Sequence, residues 1–135
     1  MTDIRWKQRL SNFQKSLVHL AEAVEIEVPS IIQQAGTIQF FEMSFELAWK
    51  TLKDYLEEEG FSDVKSPKAT IKKAFEISLI EDGHLWLEAL ENRNLAAHTY
   101  DDETAKEIYE LICNSYFPLL ETLKDQLEEL SYEKS

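Results

Sequence analysis

Residues 38–60 read IQFFEMSFELAWKTLKDYLEEEG. Ile38, Phe41, Phe45, Ala48, Leu52 and Tyr55 recur at steps of three and four, the spacing that gathers side chains on one face of an α-helix. Phe40, Leu47 and Leu56 widen that face, so it has to meet more than one neighbouring helix. Gly60 followed by Phe61 is a stop signal: glycine takes the left-handed position that ends a helix, with an apolar residue just beyond it. The stretch is therefore read as the centre of a helix from about Ser30 to Glu59. Gly36 weakens its early part by about 1 kcal/mol relative to alanine.

On the N-terminal side, Trp6, Leu10, Phe13, Leu17, Leu20 and Val24 form a second stripe of the helix-bundle type, over about Thr2 to Val24. Glu27-Val28-Pro29 breaks it, because proline disfavours helical backbone at the residue before it. On the C-terminal side, Ser66-Pro67 opens a short helix, with serine as the N-cap and proline at the first helical position. That helix carries Ile71, Ala74, Phe75 and Leu79 and is expected to end at Glu81-Asp82-Gly83. A fourth helix holds Leu85, Trp86, Leu87, Ala89 and Leu90 and runs to about His98. A fifth opens at Asp101-Asp102-Glu103, where acids suit the positive end of the helix dipole. It continues through Ile108, Ile112, Tyr116, Leu119, Leu123, Leu127 and Leu130. Pro118 inside it predicts a kink near Asn114, and the last residues, from Tyr132 on, are expected to fray. Connections are short, so the expected fold is all-α: an up-and-down, left-handed bundle of four longer helices plus one short one, forming a single domain over residues 1–135.

Composition agrees. The chain has 135 residues, enough to bury a core, and only three glycines and three prolines, too few for the turns of a many-stranded sheet. Its net charge of −12 repels nucleic-acid phosphates and anionic lipid heads unless basic residues gather locally. They do so twice. Arg5, Lys7, Arg9 and Lys15 face only Asp3 in the first twenty residues, and Lys65, Lys68, Lys72 and Lys73 face Asp63 and Glu76 between 61 and 80. Most of the remaining charge reads as a solvated acidic surface. The single cysteine, Cys113, excludes an intramolecular disulfide and fits a reducing compartment. The N-terminus has no signal-peptide core, and no apolar run approaches the ~18–20 residues that span a bilayer. A cytoplasmic protein without a membrane partner is expected.

Familiar catalytic signatures are absent. There is no glycine-rich phosphate loop, CxxC pair or HExxH, and His19, His84 and His98 are too scattered for a local metal site, so neither a cofactor nor a metal is expected. Most carboxylates fall on solvent-facing positions, Glu42 and Glu46 being partial exceptions. The segment that stands out is Glu91-Asn92-Arg93-Asn94-Leu95-Ala96-Ala97-His98-Thr99-Tyr100. Histidine titrates near neutrality and can exchange a proton, while arginine can grip a phosphate through two parallel hydrogen bonds. Together they can cleave RNA without a metal, the 2′-hydroxyl acting as nucleophile. Residues five apart on an ideal helix point about 140° away from each other. Arg93 and His98 thus share a site only if the helix unwinds before His98, or if a dimer completes the site. From residue physics alone, a simpler reading leads: His98 caps a helix end and Arg93 pairs with Glu91 or Glu88.

The words Phe41-Glu42, Phe45 to Leu56, Ser66-Pro67, Ala74-Phe75, Arg93-Asn94 and His98-Thr99-Tyr100 together resemble a known family, over about residues 5 to 130. They are similar to the substrate-binding-type partners of minimal nucleotidyltransferases, a branch of the HEPN superfamily that includes the HepT toxins. The resemblance implies a helical bundle that forms a homodimer and associates with a small nucleotidyltransferase encoded nearby, in a toxin–antitoxin-like pair. It further implies a metal-independent ribonuclease pattern on Arg93, His98 and Tyr100, and it reverses the preference for the simpler reading. Arg93 would bind the scissile phosphate, His98 would move the proton, and Tyr100 would be the hydroxyl to which the partner attaches AMP. RNA is then a candidate partner, although the acidic balance fits a substrate-binding role more easily. Asn94, Glu46, Trp49 and Lys50 are the supporting candidates; for Trp49 and Asn94, core filling and helix capping are the competing explanations.

Overall fold

The computed structural model describes residues 3–97 and 101–133. Its helices follow in the order α1 (Asp3–Val24), α2 (Ile31–Glu58), α3 (Pro67–Glu76), α4 (Gly83–Ala96), α5 (Asp102–Leu111), a π-helical turn (Ile112–Tyr116) and α6 (Phe117–Glu133). Helices α5 and α6 run on through the π turn, so the expected four longer helices and one short helix are all present, and the chain is an all-α bundle.

The stripes become the core. Trp6, Leu10, Phe13, Leu17 and Leu20 of α1 are buried, as are Phe41, Phe45, Ala48, Leu52, Tyr55 and Leu56 of α2. Ile108, Ile112, Tyr116, Leu119, Leu123 and Leu127 close the core from the α5–α6 side. Helices α1 and α2 run antiparallel, because partners descend along one as they ascend along the other. Trp6 meets Tyr55 edge-on with centroids 5.1 Å apart, Arg9 pairs with Asp54 at 2.8 Å, Ser16 bonds Ser44 at 2.7 Å, and His19 stacks on Phe40 at 5.4 Å.

Helix ends follow local chemistry. Ser30 and Gln33 form a reciprocal capping box at the start of α2, each side chain bonding the other's backbone N–H. Gly60, at φ +99°, ends α2. Its N–H reaches the Glu57 carbonyl at 3.1 Å, and the next N–H, on Phe61, reaches Leu56 at 3.0 Å, the Schellman arrangement. Ser66 caps α3 through the Ala69 N–H. Two boundaries differ from expectation. Helix α3 stops at Glu76 rather than near Gly83, because Ser78 adopts φ +64° and repeats the same closure, with Leu79 N–H on Ala74 at 2.8 Å. Helix α4 in turn begins at Gly83 and ends at Ala96, a little before His98. The break expected near Asn114 takes the form of the π turn, where the Phe117 N–H bonds Ile112, five residues back.

Candidate functional site

Glu46 lies in the middle of α2 on the flank of the buried stripe, and its side chain retains 32% of its exposure. Helical spacing brings it two local partners. The Trp49 indole N–H, three residues on, donates to Glu46 Oε1 at 3.1 Å, and Lys50 Nζ, four residues on, lies 3.0 Å from Oε2. A third partner comes from another helix. Arg93, in the last turn of α4, places Nη2 2.5 Å from Glu46 Oε1. Its Nη1 donates to Asn94 Oδ1 at 3.3 Å. The structure thus brings Arg93, Asn94, Glu46, Trp49 and Lys50 into one cluster. His98 and Tyr100 lie outside the described residues.

The simple ion-pair reading is corrected in its partner, since Arg93 pairs with Glu46 of α2 rather than with Glu91 or Glu88. Glu88 is engaged elsewhere: it accepts the Tyr116 hydroxyl at 2.7 Å, and Asn92 Nδ2 donates to that same hydroxyl at 2.5 Å. Tyr116 is fully buried and stacks on Phe41 with centroids 5.5 Å apart. Burial first, then the Glu88 carboxylate, push its phenol up to about 12, against the opposing pull of Asn92. Tyr116 therefore stays protonated and acts as a clamp between α4 and the π turn, through a residue adjacent to Arg93.

Arg93 opens onto a shallow cleft of ≈ 550 Å³ that also touches Gln39, Glu42, Met43, Glu46, Ala96 and Ala97. Two carboxylates and one guanidinium face it. Burial raises the Glu42 carboxyl above 4.5, Arg93 pulling the other way. Burial acts on Glu46 too, but there the Lys50 and Trp49 hydrogen bonds and the Arg93 and Lys50 charges outweigh it, and its pKa ends below 4.5. Arg93 keeps donors to spare, so an incoming anion must compete with a carboxylate already in place.

Sequence reasoning had no means of pairing positions 46 and 93, which only the packing of α4 on α2 brings together. The local part of the cluster was available from the steps of three and four between Glu46, Trp49 and Lys50. Gln39 and Met43 carried no chemical signal at all. Trp49 is 8% exposed, with its ring in the core and its N–H in the cluster. Among the described residues no group of three or more His, Cys, Asp or Glu is placed to hold a metal ion, and no helix is long and apolar enough to cross a membrane.

Comparison with known proteins agrees with this architecture. The family described as "Nucleotidyltransferase substrate binding protein like" matches residues 8–129. The chain is 33% identical over 115 residues to a Haemophilus influenzae protein named "Probable ribonuclease HepT", covering 73% of this chain and 74% of that one. A solved structure from Thermus thermophilus superposes with a TM-score of 0.74 at 34% identity, over 88% of this chain and 98% of that one. A second, from Haemophilus influenzae, is described as revealing the fold of a substrate binding domain of a nucleotidyltransferase. It superposes with a TM-score of 0.67 at 27% identity, over 93% and 98% of the two chains.

Proposed function

This chain belongs to the nucleotidyltransferase substrate-binding-protein-like family, and on that premise we propose that it is the helical partner subunit of a separate, small nucleotidyltransferase encoded beside it. The observation that carries the reading is the Glu46–Arg93 ion pair. In the isolated chain the one arginine of the candidate site is held by a carboxylate, with Glu42 next to it. Such a cleft has little pull on a polyanion and suits a binding surface.

The faces beside the cleft fit association. Val28, Ile31 and Ile32 are 90%, 73% and 83% exposed, and Met43 and Leu95 about half exposed. Ile32, Gln39 and Met43 lie seven and eleven residues apart, on one face of α2, and Gln39 and Met43 border the Arg93 cleft. Leftover apolar surface next to a polar site is where a second copy of the chain or the nucleotidyltransferase would seat. The pair works as a toxin–antitoxin-like system in which this chain is both bound and modified. The Tyr100 phenol oxygen attacks the α-phosphorus of ATP, pyrophosphate leaves, and the phenol proton passes to a base or to water. The tyrosine then carries AMP, whose bulk and negative charge silence the protein.

A second reading has a specific observation behind it: Arg93, His98 and Tyr100 stand at the spacing of the ribonuclease pattern, and the relative named HepT carries the word ribonuclease in its name. In this reading Glu46 is the ground-state partner that a scissile phosphate displaces from Arg93, and His98 moves the proton.

One experiment separates the outcomes. The protein is incubated with the neighbouring nucleotidyltransferase and Mg–ATP, then weighed intact, and its action on RNA is assayed in EDTA before and after. The partner reading expects one AMP on wild type and none on Tyr100→Phe. An unmodified wild type that also fails to co-elute with the nucleotidyltransferase overturns it. RNA cleavage lost in His98→Ala, with helicity unchanged, establishes the second reading, and equal cleavage by both proteins removes it.

A further inference from the structure

Helix α4 is anchored in the core through one half only. Its buried residues, Gly83, Trp86 and Ala89, all fall in its first seven positions. From Leu90 to Ala96 no residue is fully buried, and only Leu90 and Ala96 pack partly against the core. A helix end with so few apolar contacts opens easily. Yet this is the end that carries Arg93. Two polar contacts hold it: Arg93 on Glu46, and Asn92 on Tyr116.

The two contacts differ in what an incoming ligand does to them. The Glu46 carboxylate lines the open cleft, and an anionic group that takes Arg93 has to displace it. Neither Asn92 nor Tyr116 lines the cleft, so their bond survives the exchange. Tyr116 is fully buried, and its hydroxyl accepts from Asn92 Nδ2 at 2.5 Å while donating to Glu88 Oε2 at 2.7 Å. Glu88 and Asn92 stand one turn apart on α4, so a single hydroxyl spans the last two turns. The Tyr116 ring stacks on Phe41, whose neighbour Glu42 lines the cleft. Tyr116 thereby ties the helix end that bears Arg93 to the stretch of α2 that supplies the cleft's carboxylates. It is the last residue of the π turn, Ile112–Tyr116, a feature that recurs at functional sites.

We infer that Tyr116 is the positioning residue of the Arg93 cleft: through Asn92 it keeps the last turn of α4, and with it the guanidinium, in place when an anionic group displaces Glu46. Tyr116 itself touches no substrate. This role presupposes that the Arg93 cleft is the functional site, as proposed above, but the test needs neither the nucleotidyltransferase nor RNA. Failure of the positioning role is therefore distinguishable from failure of that reading.

The test uses the full chain labelled with nitrogen-15 and carrying Glu46→Gln, which stands for the displaced carboxylate. Amide hydrogen exchange is read at residues 93–96 and at 86–89, and the phenylglyoxal rate of Arg93 by peptide mapping. Adding Tyr116→Phe, which keeps the ring and removes the hydroxyl, should speed exchange at 93–96 by about fivefold or more, the worth of one lost hydrogen bond. The amides at 86–89 should not change, and Arg93 should react faster. Asn92→Ala should act in the same direction although alanine is the better helix former, and it leaves the core intact should Tyr116→Phe disturb folding. The two together should do no more than the stronger alone, because they cut one path. Thr70→Val is the control: it removes another buried hydroxyl, bonded to the Val64 carbonyl at 2.8 Å in α3, and should leave residues 93–96 unmoved. Unchanged exchange at 93–96 in both Tyr116→Phe and Asn92→Ala, effects that add, or an equal response to Thr70→Val would each overturn the inference.

Discussion

Glu46 holds three side chains at once, and its neighbour Glu42 holds none of them, so the two acids should respond to mutation with opposite signs. Glu46 has a depressed pKa. A depressed acid stabilises the fold above its unfolded value, and that contribution is lost as pH falls through the lower, folded one. Glu42 has a raised pKa through burial. Its ionisation therefore costs stability, a cost that is absent in acid and grows as pH rises through the folded value. Glu46→Gln should lower stability at pH 7 by about 1 kcal/mol, as expected for a partly exposed, hydrogen-bonded ion pair. Glu42→Gln should leave stability equal or slightly higher. Thermal melts at pH 7 and near pH 3 check both, and the two variants should converge on wild type in acid. Glu46→Gln should also make Arg93 more reactive toward phenylglyoxal, read by peptide mapping. Unchanged reactivity would mean the carboxylate does not hold the guanidinium.

At the scale of elements, the junction of α3 and α4 carries two opposed predictions. Ser78 ends α3 at φ +64°, where a side chain costs energy that glycine avoids. Ser78→Gly should raise stability by about 0.5–1 kcal/mol. Five residues on, Gly83 opens α4 against the Phe75 ring. A Cβ there would lie 2.7 Å from Phe75 Cγ, and Cγ sits too near the backbone to swing clear without moving the whole ring. Gly83→Ala should cost about 1–3 kcal/mol. Chemical denaturation of the two variants tests the signs; the same sign for both would contradict this account of the junction.

The same junction marks where sequence stops being informative. Gly60 and Ser66-Pro67 announce their helix ends through their own backbone preferences, and the stripes of α1, α2 and α6 announce the core. Ser78 announces nothing, because serine takes the left-handed position only when tertiary packing imposes it, and so α3 reads as longer than it is. Pro118 signals a disturbance but not its form, since relieving a lost hydrogen bond by a π turn depends on what Tyr116 packs against. In the candidate site, Glu46, Trp49 and Lys50 are legible together because one helix spaces them. The meeting of Arg93 with Glu46, and of Tyr116 with Glu88 and Asn92, depends on helix packing that no local rule reports.

For the whole molecule, charge and apolar surface are the informative quantities. A net charge of −12 is unhelpful for general RNA binding, whereas Ile31 and Ile32 on the face of α2 that leads to the cleft are costly to leave in water. Ile32→Glu should weaken association by about tenfold or more without lowering thermal stability, because Ile32 is 83% exposed in the isolated chain. The decisive measurement is light scattering on size-exclusion fractions of this chain co-expressed with the small nucleotidyltransferase proposed as its partner. The account predicts one peak whose mass contains both proteins, split or shifted by Ile32→Glu. Two separate peaks at every concentration, each with the mass of its own protein alone, would contradict it.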